Sequence, residues 1–237
     1  MQASENLGDM QSFAWIATFV VGWTSYWQGY PEQAKELTMK ALRISEEHNY
    51  HDGIAMALCN LGRFTFQEGE FDRAQQLYAK GLKLWEQIGT RRRLAFVHKD
   101  LGTIALYQGD IEEAKRQLEE AQRQFEEIDD AQGLASTYRR LGNLAEQQGD
   151  YEQAQWFYEE YLTLAQEIGN LGYIGNAKSG LAFLKEQQQD YEEALALARD
   201  ANEVYQRLGY PAGIEKTRKL VERLEKRIAE GQSKHSG

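Results

Sequence analysis

Four basic side chains, Arg63, Lys99, Arg139 and Arg140, stand out in a chain of formal net charge −10. The planar fork of arginine suits carboxylate or phosphate oxygens, and lysine adds a compact point charge. At helical spacing around them lie Met56, Asn60, Phe96, Thr103, Asn143 and Asn176, a mixture of amides, a hydroxyl and apolar surface. Such a set suits binding rather than bond-making. The plainer reading is that these side chains are solvated groups paired with Asp100 and Glu146. Groupings with reactive chemistry fare worse. His48 and His51 straddle a turn with no third ligand at metal spacing. Cys59 and His98 lack any nucleophile motif, and no glycine run continues into the Gly-Lys-Ser/Thr of a phosphate loop. Arg91, Arg92 and Arg93 open a helix in acidic surroundings and read as a solvated turn. No cofactor or metal is expected, and the chain reads as a non-enzyme.

The elements that must carry these residues repeat. Ala34, Ala74, Ala114, Ala154 and Ala194 are 40 residues apart, and Gly22, Gly62, Gly102, Gly142 and Ala182 keep the same step. So do Gly29, Gly69, Gly109, Gly149 and Gln189, and a closing series of His48, Ile88, Ile128, Ile168 and Leu208. Each unit resolves into two helices. In the first, Ile54, Ala57, Leu58 and Leu61 mark one packing face, and Gly69 ends it. The basic and amide residues above lie on the opposite face. The second helix starts after an acidic residue (Glu70, Asp110, Asp150, Asp190), as the positive end of a helix prefers. Its expected apolar stripe is Ala74, Leu77, Gly81, Leu84 and Ile88, and a glycine at 89, 169 or 209 stops it. The mid-helix glycines cost about 1 kcal/mol each relative to alanine, which makes sense where neighbouring helices approach closely. A helix pair of this kind cannot bury its apolar faces alone, so the units stack as an all-α solenoid. The repeats span about 11–50, 51–90, 91–130, 131–170 and 171–210. A capping helix over 211–229 follows, striped by Ile214, Val221, Leu224 and Ile228. It completes one domain over 1–229 and leaves a loose tail at 230–237.

This architecture resembles the tetratricopeptide repeat family. The resemblance rests on Leu61-Gly62, Leu101-Gly102 and Leu141-Gly142, on the turn Gly149-Asp150-Tyr151, and on the second-helix alanines. It covers about residues 11–229. The unit is longer than the family's usual 34 residues. Leu58, His98 and Tyr138 stand where the family has a tryptophan, and its proline ending the second helix is missing. The long form is similar to the sensor regions of bacterial signal-transduction ATPases and transcription regulators. The resemblance implies a right-handed superhelix whose first helices line a concave groove. Met56, Asn60, Arg63, Phe96, Lys99, Thr103, Arg139, Arg140, Asn143 and Asn176 would then face a ligand. A peptide or protein segment of acidic character is the expected partner. Some family members clamp a terminal carboxylate; Arg139 and Asn143 match part of that pattern, and Thr103 after Lys99 departs from it.

Two rival functions remain open. One is self-assembly through the aromatic first unit, and the other is a small-molecule or nucleotide sensor using the basic middle. The first unit carries Trp15, Phe19, Trp23 and Trp27 on a helix apolar all round, which expects cover on every side. A preceding repeat of a longer chain, a homodimer contact and an aromatic ligand site all fit. The stretch Phe13–Trp23 is too short for the ~20 residues of a membrane span. Acidic charge argues against nucleic acid, and the single Cys59 fits a reducing cytoplasm.

Overall fold

A computed structural model describes residues 31–235, with side chains as far as 231. Among these, ten helices follow one another without a strand. They are α1 (Pro31–Glu47), α2 (His51–Gln67), α3 (Phe71–Ile88), α4 (Arg91–Gln108) and α5 (Ile111–Glu127). Then come α6 (Ala131–Gln147), α7 (Tyr151–Ile168), α8 (Leu171–Gln187), α9 (Tyr191–Leu208) and α10 (Pro211–His235). The chain forms two compact units, one ending at Gln124 and one beginning at Phe125. Within each, helices pack on their neighbours in sequence: α1 on α2, α2 on α3 and α3 on α4 in the first. In the second, α6 packs on α7, α7 on α8, α8 on α9 and α9 on α10. The fold is all-α, with the sequential helix pairs of a solenoid.

Short-range chemistry sets the breaks. Gly69, Gly109 and Gly149 end the first helices in the left-handed region, and Gly89, Gly169 and Gly209 end the second ones there. At Gly149 (φ 75°) the returning amide of Asp150 bonds Ala145 O at 2.9 Å, closing the helix end. Gln189 adopts the same conformation (φ 66°) with a side chain that disfavours it. Asp110, Asp150 and Asp190 cap the following helices by accepting from the amides of Glu113, Gln153 and Glu193. Glu70 makes no such cap. Its longer arm swings out to Arg73 at 3.0 Å instead. Pro211 occupies the first helical position of α10, where its missing N–H costs nothing.

The buried rows of the second helices lie one residue round from the expected stripe. Ala74, Tyr78, Gly81 and Trp85 are buried, while Leu77, Leu84 and Ile88 are half-buried. The 4-3-4 spacing recurs as Ala114, Leu118, Ala121 and Phe125, then Ala154, Tyr158, Tyr161 and Ala165, then Ala194, Ala198, Ala201 and Tyr205. α10 repeats it with Gly213, Thr217, Leu220 and Leu224. Of the stripe expected there, only Leu224 is fully enclosed, with Ile214, Val221 and Ile228 along its margin. α10 also runs on to His235, past the end expected at 229, because Gly231 alone is a weak breaker.

The mid-helix glycines have a specific task. A Cβ on Gly62 would come within 2.8 Å of the Tyr78 ring, one on Gly102 within 2.7 Å of Leu118, and one on Gly142 within 2.8 Å of the Tyr158 ring. Enclosing a large side chain is worth about 2 kcal/mol, which exceeds the ~1 kcal/mol helix penalty of glycine. In the last pair, Ala182 replaces the glycine and Ala198 replaces the ring, both in one core cluster. A second interlock, between a ring late in a second helix and a glycine of the following helix, recurs at two joints. A Cβ on Gly133 would overlap the Phe125 ring, and one on Gly213 would lie 2.6 Å from the Tyr205 ring.

Two stability outcomes follow. Gly142→Ala should lower the melting temperature by about 2–4 °C, a net loss near 1 kcal/mol. In a Tyr158→Ala background the same change should raise it, and a single variant melting like wild type would refute the ring-on-glycine packing. Gln189→Gly, by relieving the left-handed backbone, should add about 2–4 °C. An unchanged melting temperature would show that the turn is not strained.

Candidate functional site

In the first unit, α2 and α4 bring Arg63, Lys99 and Asp100 together. Asp100 lies 2.8 Å from Lys99 Nζ and 3.9 Å from Arg63 Nη2, and the Tyr78 hydroxyl donates to it at 3.0 Å. The ring reaches it because it passes through the gap left at Gly62. One carboxylate thus faces two cations. Lys99 also sits 5.3 Å from the Phe96 ring centroid, and Arg92 lies over the same ring at 5.3 Å. Arg93 covers Trp85 at 5.7 Å, its pKa lowered by burial and then by the like charge of Arg92. The triple arginine of α4 therefore spends two members on aromatic faces.

The remaining residues expected on this face divide. Asn60 and Phe96 are half-buried. Met56 is 8% exposed and belongs to the core cluster of Tyr78, Trp85 and Ile104. Thr103 is 5% exposed, and its hydroxyl donates to Lys99 O. Both lie inward because the first helices are enclosed by the second helices on more than one side. Cys59 lies against Gly81, where a Cβ would come 2.7 Å from its sulfur. Burial pushes its thiol up to about 12, so at neutral pH it stays protonated and unreactive.

In the second unit, α6 supplies Arg139 and Arg140, both half-buried. Asn143 Oδ1 accepts from the Tyr158 hydroxyl at 2.8 Å, beside Glu146 Oε2 at 2.9 Å. On α8, Asn176 Oδ1 accepts from Tyr205 at 2.8 Å. Burial raises the pKa of Tyr158, Tyr161 and Tyr205, the last to about 12, and the Arg139 charge opposes each rise. A row of tyrosines from the second helices thus ends on the amides of the first. Apolar periodicity missed these hydroxyls, since it counts tyrosine only as bulk. The pairing of Gly62 with Tyr78 and Gly142 with Tyr158, 16 residues on in each case, is the signal that marks them.

The first unit also holds an open cleft of about 590 Å³ lined by Glu86, Leu94, His98, Arg116, Glu120 and Arg123, among others. Its charges pair along their own helix, Arg116 with Glu113 at 2.7 Å and Arg123 with Glu120 at 2.5 Å. His98 Nδ1 lies 2.6 Å from Gln117 Oε1, and His48 Nδ1 lies 2.9 Å from Ile44 O. Among the described residues, no three His, Cys, Asp or Glu side chains gather as metal ligands, and no helix is long and apolar enough to cross a membrane. Trp15, Phe19, Trp23 and Trp27 lie outside the described residues.

A family model described as tetratricopeptide repeat matches residues 53–127 and 92–167. A search of curated proteins matches none. Among solved structures, the chain is similar to BtubC (BKLC) from P. vanneervenii at 20% identity and a TM-score of 0.68, covering 88% of this chain and 90% of that one. It is similar to a Rap protein complexed with competence and sporulation factor at 17% identity and TM-score 0.67, over 94% of this chain and 66% of that one. A signal transduction ATPase with numerous domains and a tetratricopeptide repeat sensor, from Pyrococcus horikoshii, aligns at 17% identity and TM-score 0.69. That match covers 91% of this chain and 33% of the ATPase. Identities at this level speak for the fold.

Asp100 gives the site a pH signature. Burial alone would raise its pKa, but the Lys99 and Arg63 charges and the hydrogen bonds of Lys99 and Tyr78 outweigh burial and hold it below the usual value. A depressed carboxylate contributes stability that is complete above its ordinary pKa of about 3.9 and lost as pH falls through its folded value. Asp100→Asn should therefore cost about 2 kcal/mol at neutral pH. The gap from wild type should close as urea denaturation is repeated below about pH 4. A gap of constant size down to pH 3 would contradict the charge network.

Proposed function

The chain is a repeat protein of the tetratricopeptide family, and on that premise we propose that it binds an acidic peptide or protein segment on its first-helix faces. The family's fold is a protein-interaction scaffold rather than a catalytic one. The observation that carries the acidic preference is the convergence of two cations, Arg63 and Lys99, at Asp100. A carboxylate of the partner would meet both positive charges there, with the fork of Arg63 suited to two oxygens. Asn60 and Phe96 flank this centre, and Met56 and Thr103 support it from beneath. In the second unit Arg139 and Arg140, with Asn143 and Asn176, form the corresponding face. Acidic runs such as Glu112-Glu113 and Glu119-Glu120 lie on a second helix, so a chain of net charge −10 offers its positive charge locally.

The wider role we propose is that of a ligand-recognition region in a larger bacterial signalling protein. The Rap protein complexed with competence and sporulation factor and the signal transduction ATPase with a repeat sensor support that setting by fold.

The test is fluorescence anisotropy with a labelled twelve-residue peptide of alternating glutamate and glycine. Wild type should bind it, and more weakly as salt rises. Arg63→Ala combined with Lys99→Ala should weaken binding about ten-fold, as should Arg139→Ala with Arg140→Ala. Unchanged binding in both variants would overturn the acidic-segment reading. Binding of nucleoside triphosphate in place of the peptide would favour a metabolite sensor.

A further inference from the structure

Trp156 departs from its column in a way that packing does not require. The same place in the other units holds Glu36, Gln76, Arg116 and Ala196, and every one of these residues is exposed. A position that faces solvent in five units has no stacking task, yet here it carries an indole 48% exposed. The neighbours have changed with it. At positions 98 and 117 of the first unit, His98 and Gln117 join through a polar contact, and Gln117 donates to Glu113 at 2.9 Å. Their equivalents in the second unit are Tyr138 and Phe157, which pack edge-on against Trp156 with centroids 5.7 and 5.0 Å away. Tyr138 is itself 5.9 Å from Phe157. The two neighbouring rings back one side of the indole, and the remainder of it is presented to solvent.

The rim of this face is acidic. Glu152, Glu159 and Glu160 lie one turn before and after Trp156 on α7. Glu159 is fixed by a 2.8 Å hydrogen bond from Gln155. Glu126 and Glu160 both act on Tyr138, whose pKa is raised first by burial and then by these two charges. A ring face bordered by carboxylates attracts a cation in two ways, through the ring quadrupole and through direct charge. It repels phosphate, which disfavours nucleic acid and anionic lipid. A second copy using the same face would set three carboxylates against three, as a two-fold interface demands. Tryptophan is also among the residues that most often anchor protein interfaces.

We propose that the Trp156 face of α7 is a docking site for a basic segment of another protein, held by an arginine or lysine stacked on the exposed indole between Glu152, Glu159 and Glu160. Arginine fits best, because its guanidinium stacks flat on the ring while its fork reaches a carboxylate. The site lies on a second helix and is independent of the first-helix faces proposed for an acidic segment.

The test uses the full chain and the synthetic peptide Gly-Arg-Gly-Gly-Arg-Gly, blocked at both ends, with its glutamate counterpart as control. Titration followed by the indole N–H signals in NMR should shift the Trp156 resonance, identified by its loss in Trp156→Gln. Glutamine is the residue found at position 76, so this variant should keep the wild-type circular dichroism and melting temperature. It should bind the arginine peptide about five-fold more weakly. Glu159→Gln with Glu160→Gln should also weaken binding and flatten its salt dependence. Arg63→Ala with Lys99→Ala should leave it unchanged, whatever that variant does to acidic peptides. Equal affinity in Trp156→Gln, or equal shifts with the glutamate peptide, would overturn the proposal. So would a dimer by light scattering that Trp156→Gln dissolves, since the face would then belong to a second copy.

Discussion

The close approach of a large side chain to a residue with none is the contact on which the helix pairs depend. Gly62 admits Tyr78, Gly102 admits Leu118, and Gly142 admits Tyr158. Without those gaps the second helices would stand off by roughly the width of a methyl group, and the interiors would lose contacts along their length. The glycine penalty of about 1 kcal/mol per helix is accepted because the ring it admits is enclosed. The admitted ring is also more than filler. Its hydroxyl emerges beside Asp100 or beside Asn143 and Glu146, so packing and the polar chemistry of the first helices share the same tyrosine.

Much of this was legible in the sequence. Residues that recur every 40 positions must satisfy the same local geometry in each unit, and the turn glycines, capping aspartates and central alanines do. What the pattern did not reveal has physical causes. The buried row passes through Tyr78 and Trp85 rather than Leu77 and Leu84; the Tyr78 ring gains its place by crossing the gap at Gly62, and the Trp85 ring lies under Arg93. Glu70 fails as a cap although it occupies the capping column, since one extra methylene carries its carboxylate to Arg73. Met56 and Thr103 lie inward because a first helix is covered on more than one side, which a single packing stripe does not convey. Which charges meet was beyond reach as well. That Lys99 and Arg63 converge on Asp100 depends on the spacing of two helices, not on either alone.

The electrostatics follow from the same division of labour. Second helices need only one enclosed row, so their outer surface is free to carry acids, and these pair along the helix as in Arg116–Glu113 and Arg123–Glu120. Such exposed pairs contribute little to stability. First helices are enclosed more fully, and charge placed there must be met. Asp100 is surrounded by two cations and a hydroxyl, and Glu186 by Arg223 at 2.5 Å and Arg227 at 4.0 Å. The second of these networks joins the last first helix to α10, fastening the cap by charge as well as by Leu220 and Leu224.

Departures from the repeat are therefore of two kinds. Some are compensated by a partner column. Where Ala182 replaces glycine, Ala198 replaces the ring; where Gly133 and Gly213 receive Phe125 and Tyr205, Tyr173 instead follows the small Ala165 and packs on Tyr161 at 5.6 Å. Volume is conserved across each joint, as dense packing requires, and such exchanges carry no message about a ligand. Others bring charges or rings together without trading volume across a joint. An arginine and a lysine meeting at Asp100, and an indole backed by Tyr138 and Phe157 at a position exposed in every unit, are of this second kind. Dense packing accounts for the first kind, whereas the second kind sets charge or ring area where stacking does not demand it.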